Sequence, residues 1–161
     1  MIQLRDARQN ELPSLSALCL RSKAVWGYDD AFMIACRAEL TLVPDELKST
    51  QVQVAERDTI LAGLTQVKVT ETDADLLKLF VEPALLRSGV GSALFEWATA
   101  RAKSLGAVRM VIEADPVPRL FTNAWAPVMR VSLPPNPSRD GCCRVCCWNW
   151  TNQHRSGRVS S

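Results

Sequence analysis

The sequence predicts an α/β (α+β) domain in which strands joined as hairpins lead into a unit of strand, glycine loop, helix and strand. Three stretches carry that prediction. From Asp75 to Val81 the chain is a compact apolar run with one lysine, and Pro83, which has no N–H for a sheet ladder, stops it. After Arg87-Ser88-Gly89-Val90-Gly91, apolar residues recur at Val90, Ala93, Leu94, Trp97, Ala98 and Leu105, a helical spacing closed by Gly106. Upstream, Val52 and Val54, then Ile60, Ala62, Leu64, with Val67 and Val69 further on, flank the turn Glu56-Arg57-Asp58-Thr59, which reads as a hairpin.

Taken in order, Ile2 to Leu4 is a short first strand. Asn10 can cap a helix whose Leu12, Leu15, Leu18 and Cys19 form one face. Gly27 interrupts the pattern within Arg21 to Asp30, and a second helix is expected from about Asp29 to Leu42, before Pro44. The hairpin follows, and a turn from Thr70 to Ala74 leads into the central strand. Beyond the glycine-loop helix, Val108, Met110, Ile112 and Ala114 alternate with Arg109, Val111 and Glu113, a strand with one buried face. The length of 161 residues suits one domain with a real core.

Glycines at a helix start let backbone N–H groups approach a ligand closely. Those groups lack intrahelical partners and sit at the positive end of the helix dipole, so the loop suits a phosphate or pyrophosphate. It is not a P-loop, because no Lys-Ser or Lys-Thr follows the glycines. It is not the dinucleotide fingerprint either, since Leu94 occupies the third small position. A tight strand-to-helix turn that binds nothing would also fit a lone GxG.

The context adds to the loop. Leu79-Phe80-Val81-Glu82-Pro83 followed by Leu86-Arg87-Ser88-Gly89-Val90-Gly91 resembles the signature of the GNAT superfamily of N-acetyltransferases, a strand ending in Leu-x-Val-x-Pro and then Gln/Arg-x-x-Gly-x-Gly/Ala. Leu86 departs from the pattern, with Arg87 one place later. The resemblance spans about residues 2 to 116 and implies a mixed, mostly antiparallel sheet flanked by helices, in the order β-α-α-β-β-β-α-β. It further implies acetyl-CoA as co-substrate, with the backbone of Phe80 and Val81 serving the pantetheine arm and Arg87, Ser88, Gly89, Val90, Gly91 and Ser92 serving the pyrophosphate. No metal is expected. The acceptor would be a small-molecule or peptide amine, the first two helices would wall its pocket, and Trp26 and Tyr28 become candidate substrate contacts. Both rings could instead pack helix against sheet.

Direct attack of an amine on the thioester needs a base, a group to hold the carbonyl and an acid for the thiolate. With no histidine before residue 117, Glu113 and Glu82 are the candidate bases by their places near strand ends. The family's usual acid is the tyrosine of Phe-Tyr-x-x-x-Gly, and this chain's one tyrosine is Tyr28.

Composition divides the chain at about residue 116. Residues 1–116 carry a net charge of −3 and hold all five lysines, whereas residues 117–161 carry +5, all from arginine. Five of nine prolines and three of five tryptophans lie in this tail, which shows neither helical nor strand periodicity and so is expected to be irregular. A basic tail can signal nucleic acid or an acidic membrane surface, and an acyl-CoA-binding or interaction module with a partner-binding tail is the alternative to an enzyme. Neither nucleic acid nor membrane is the expected partner, and a homodimer is left open. No apolar run reaches a membrane span and the N-terminus lacks a signal peptide's apolar stretch, which makes the cytoplasm the expected compartment. Cys142, Cys143, Cys146 and Cys147 are too crowded for the usual paired zinc ligands, and His154 falls in the same tail.

A frame error would account for the tail. When each codon takes the last base of one triplet and the first two of the next, Phe121 to Pro127 permits Tyr-Glu-Arg-Met-Gly-Ala, with the glycine forced by the single codon of Trp125. Cys142-Cys143, Cys146-Cys147, Cys147-Trp148 and Asn149-Trp150 each force a leucine, and the regrouped end reads as a plausible last strand. On this hypothesis the chain keeps its cofactor loop, and the final helix and strands are missing or scrambled. Sequencing the source DNA across codons 114 to 119 should reveal a one-base disturbance; an intact frame in independent reads refutes it.

Overall fold

The structure, a computed structural model, describes residues 1–114 and 144–149. In chain order the elements are β1 (Ile2–Asp6), a 3-10 turn (Gln9–Glu11), α1 (Leu12–Ala24), α2 (Asp30–Leu40), α3 (Pro44–Ser49), β2 (Gln51–Arg57), β3 (Ile60–Thr70) and β4 (Asp73–Val81). A second 3-10 turn (Pro83–Leu85), α4 (Val90–Ser104), β5 (Arg109–Ala114) and β6 (Arg144–Asn149) follow. The strands form one sheet in sequence order, antiparallel throughout except for the parallel pair β4 and β5. That is the mixed, mostly antiparallel α/β sheet expected from the sequence.

Helices cover both faces of the sheet, and each covers it with a stripe set by helical period. Leu12, Leu15, Leu18 and Cys19 of α1 join Cys36 and Leu40 of α2, Leu42, and the sheet residues Val52, Val54 and Leu64 in one apolar cluster. On the opposite face α4 buries Val90, Leu94, Phe95, Ala98 and Ala102. Its first half packs on Ala55, Ala62 and Val81, and its second half on Val67, Ala74, Leu76, Met110 and Ile112. Alternation along each strand divides the core in this way.

The structure corrects three expectations. Asn10 does not cap α1: it lies inside the 3-10 turn, α1 starts at Leu12 with Pro13 in its first turn, and Glu11 accepts the Arg8 N–H at 2.8 Å. Pro44 does not end α2, which closes at Leu40; its fixed φ suits a helix start and it opens the short α3. The stretch 117–161, expected to be irregular, contains β6, whose six residues pair antiparallel with β5 from Arg109↔Asn149 to Ala114↔Arg144. A last strand is therefore present beside β5. Cys142, Cys143 and His154 lie outside the described residues, as do 115–143 and 150–161.

The edge strand β1 is fixed by charge. Arg5 donates to both carboxylate oxygens of Glu11 at 2.8 Å and to Glu56 Oε1 at 2.6 Å, tying β1 to the first 3-10 turn and to β2. The Arg5 guanidinium holds the Glu11 carboxyl below its ordinary range, and that of Glu56 likewise. A carboxylate whose pKa is depressed by folding adds stability that is present above its unfolded value and lost as pH falls through its folded one. The stability difference between the wild-type chain and Arg5→Met should thus hold steady above about pH 5 and shrink below about pH 4.3, the ordinary glutamate value. Urea melts at several pH values measure it.

Candidate functional site

The site begins with one extra residue in β4. Gln66 pairs with Lys78 and Val67 with Leu76, so Leu77 has no partner on β3 and forms a β-bulge. Parallel pairing of β4 with β5 runs from Asp73↔Arg109 to Leu76↔Ile112 and goes no further. It ends at the residue before the bulge, because a bulge bends its strand and terminates the ladder. From Leu77 to Val81 one edge of β4 is open.

Direction along that edge follows from hydrogen bonding. Glu82 N–H donates to Ala62 O at 2.8 Å, and Thr65 Oγ1 donates to Lys78 O at 3.1 Å, so the even-numbered residues turn their main-chain groups toward β3. Leu79 and Val81 turn theirs to the open side. Val81, one of the two residues expected to serve a pantetheine arm, thus has its main-chain groups on the open side. Phe80 is not at the open edge, a difference produced by strand alternation, and Leu79 takes that place. Only the bulge fixes this parity, and no motif in the sequence announces it.

Beyond β4 the chain turns upward into α4. Leu85 N–H bonds to Glu82 O at 2.8 Å, and both the N–H and the hydroxyl of Ser88 reach Leu85 O, the latter at 2.6 Å. Arg87 and Gly89 sit at φ 63° and 88°, in the left-handed region that only glycine enters without strain. The first intrahelical bond runs from Ala93 N–H to Gly89 O at 3.1 Å. The N–H groups of Gly89, Val90, Gly91 and Ser92 therefore have no acceptor within the helix and are gathered at its positive end. Leu86, where a polar residue was the pattern, packs on the cluster of Ala55, Ala62, Val81, Val90 and Leu94, while Arg87 is exposed. A partly buried apolar residue anchors the loop and its neighbour supplies the cation.

The two glutamates stand at different places in the sheet. Glu113 is the first residue of β5 past its last pair with β4, at the mouth of the opening, and is opposite Val145 on β6. Glu82 closes β4 and is held by Arg21 of α1, whose Nε and Nη2 donate to its two oxygens at 3.2 and 2.7 Å. On the α1 side Trp26 is half-buried in the turn after the helix, and Tyr28 stacks on Phe32 with centroids 4.4 Å apart. The Lys23 ammonium lies 5.4 Å from the Phe32 ring. Tyr28 thus packs on the first turn of α2. Cys19, fully buried, has its thiol pushed up to about 12 by burial, so it packs as a neutral side chain. Among the described residues no group of three metal-ligating side chains assembles.

The acetyltransferase (GNAT) family matches this chain over residues 17–120, which contain the bulged strand, the loop and α4. The chain belongs to the GNAT acetyltransferase family. Solved structures share the fold at low identity. The PaiA N-acetyltransferase of Thermoplasma acidophilum, in complex with coenzyme A, is 16% identical over 93% of this chain and 99% of its own, with a TM-score of 0.79. A GNAT acetyltransferase of Staphylococcus aureus Mu50 gives 13%, 92%, 99% and 0.72. One from Brucella melitensis, in complex with acetyl-CoA, gives 16%, 93%, 88% and 0.62. No curated protein matches.

In this GNAT chain the loop is placed by Gly63 as well as by its own glycines. A Cβ at Gly63 would lie 2.7 Å from Phe80 O, 3.0 Å from Leu94 Cδ1 and 3.1 Å from Val90 Cγ1. Only a residue without a side chain lets α4 settle on β3 here. Gly63→Ala should cost about 1–3 kcal/mol, the usual penalty of overpacking, and should shift the amides of Val90 and Gly91 more than those of β1. Chemical denaturation and amide NMR test both.

Proposed function

We propose that this chain is an N-acetyltransferase that moves an acetyl group from acetyl-CoA to a primary amine by direct attack. The observation that carries this reading is the open edge of β4 running into four unpartnered N–H groups. Main-chain groups at Leu79 and Val81 match the amides of a pantetheine arm, which would add a short strand to the sheet. The N–H groups of Gly89 to Ser92, with Arg87 beside them, match a diphosphate. These residues fit the donor with no side chain in the way.

Chemically, the amine nitrogen bonds to the thioester carbonyl carbon and the carbon–sulfur bond breaks. One proton leaves the nitrogen and one reaches the thiolate. Glu113, at the mouth of the opening, is the proposed base, acting directly or through a water. Trp26 and Tyr28 belong to the wall that would meet the acceptor. Impaired turnover is part of the proposal, because the tail's sequence lacks a tyrosine to protonate the thiolate. The described residues include no helix long and apolar enough to cross a membrane, and we place the reaction in the cytoplasm.

Three measurements test the reading. Titration calorimetry should detect coenzyme A binding to the full chain, and its absence refutes the donor site. Gly89→Ala forces a Cβ into left-handed backbone, costs about 1 kcal/mol and should weaken that binding about fivefold or more. Glu113→Gln should leave coenzyme A binding intact and lower amine-dependent thiol release from acetyl-CoA about 100-fold. Thiol release that ignores added amine, with coenzyme A still bound, would favour a non-catalytic acyl-CoA-binding module.

A further inference from the structure

On the reading just given, the donor is held by β4 and the loop, and the acceptor wall is α1 and the turn after it. Besides the apolar packing of Phe80 against the α1 cluster, an ion pair joins these two parts. Arg21, in the last turn of α1, grips both carboxylate oxygens of Glu82, the residue between the open edge of β4 and the second 3-10 turn. Glu82 is itself fixed at both main-chain ends, its N–H on Ala62 O and its C=O receiving the Leu85 N–H, each at 2.8 Å. The carboxylate therefore projects from a rigid point of the donor strand onto a helix that carries the opposite wall. Two parallel hydrogen bonds from a planar guanidinium fix angle as well as distance.

We propose that Arg21 and Glu82 form a positioning clamp that couples the α1–α2 junction to the donor strand, and that Glu82 serves the reaction through this pair and not as a proton acceptor. Each oxygen accepts one bond from the guanidinium, and swinging the carboxylate away to meet a substrate would break both and open the clamp. Arg21, in turn, sits two residues before Lys23 and within the same helix end as the turn that bears Trp26. Filling the donor site stiffens β4 and its loop, and the clamp carries that stiffening to residues 21–32.

The test uses the full-length chain with coenzyme A as probe, reading amide hydrogen exchange by segment. In the wild type, coenzyme A should slow exchange in 86–92 and also in 21–32. In Arg21→Met and in Glu82→Gln the loop should remain protected while the slowing in 21–32 falls about threefold, the scale of a well-formed exposed ion pair. The exchanged pair, Arg21→Glu with Glu82→Arg, should restore at least half of it, and Arg21→Lys a smaller part. Full protection of 21–32 in Arg21→Met, or no recovery in the exchanged pair, overturns the clamp. Thiol release should follow the same order; an exchanged pair that regains protection without regaining thiol release would make Glu82 a base and overturn the assignment. Absence of protection in 86–92 of the wild type would instead be failure of the donor site itself.

Discussion

Leu77 is the residue on which the arrangement of the site depends. A parallel ladder between β4 and β5 would have satisfied every main-chain group on that side of β4, and a sheet so closed has no place for a ligand. The extra residue ends the ladder after Leu76↔Ile112 and leaves a length of strand whose N–H and C=O groups must find partners elsewhere. An open edge of this kind, in a sheet interior, is a constraint as much as an opportunity. It is tolerable where water or a ligand completes it, and it selects for ligands that are themselves amide-bearing and extended.

The bulge acts together with the packing of α4. The helix start must stand beside the end of β4 for the edge and the amides of Gly89 to Ser92 to form one continuous surface. Its position is set from below by Val90 and Leu94 against Ala55, Ala62 and Val81, and by the missing side chain at Gly63. Small residues at Ala98 and Ala102 bring the second half of the helix close in the same way, over Ala74 and Met110. Loop geometry thus rests on core packing. The left-handed backbone at Arg87 and Gly89 is imposed by where strand and helix have to be.

Much of this was legible in the residues. The glycine loop, Pro83 as a stop and the period of α4 are local signals, each produced by backbone chemistry that needs no distant partner, and the strand, loop and helix stand within two residues of where those signals put them. What the residues could not show depended on register. Nothing between Asp73 and Val81 marks Leu77 as unpaired, because a bulge is a relation between two strands; the open-edge groups therefore fell to Phe80 on paper and to Leu79 in the structure. The hold of Arg21 on Glu82, 61 positions away, was equally hidden, because an ion pair between distant elements leaves no local mark. The α3 start at Pro44 and the strand at Arg144–Asn149 were missed for opposite reasons. A six-residue helix has too few turns to show a period, and β6 owes its existence to the edge offered by β5.

Lys78 shows how the sequence nonetheless specifies the bulge. It is 6% exposed in the middle of β4, on the face covered by α1 and α3, where its ammonium donates to Gln66 Oε1 at 2.8 Å and lies 3.6 Å from Glu46 Oε1. Gln66 in turn donates to Thr50 Oγ1 at 3.1 Å, and Thr50 donates to Glu46 O at 2.6 Å, so the buried charge ends in a satisfied network. Suppose Leu77 were instead paired in a regular ladder. Leu76 faces α4, and strict alternation would put residue 78 on that face too, driving an ammonium among Val90, Leu94 and Phe95 with nothing to accept its protons. Leaving a charge in such surroundings costs several kcal/mol, more than a bulge costs in lost ladder bonds. The lysine therefore makes the regular strand the worse alternative, and a single buried cation holds β4 in the register that opens its edge.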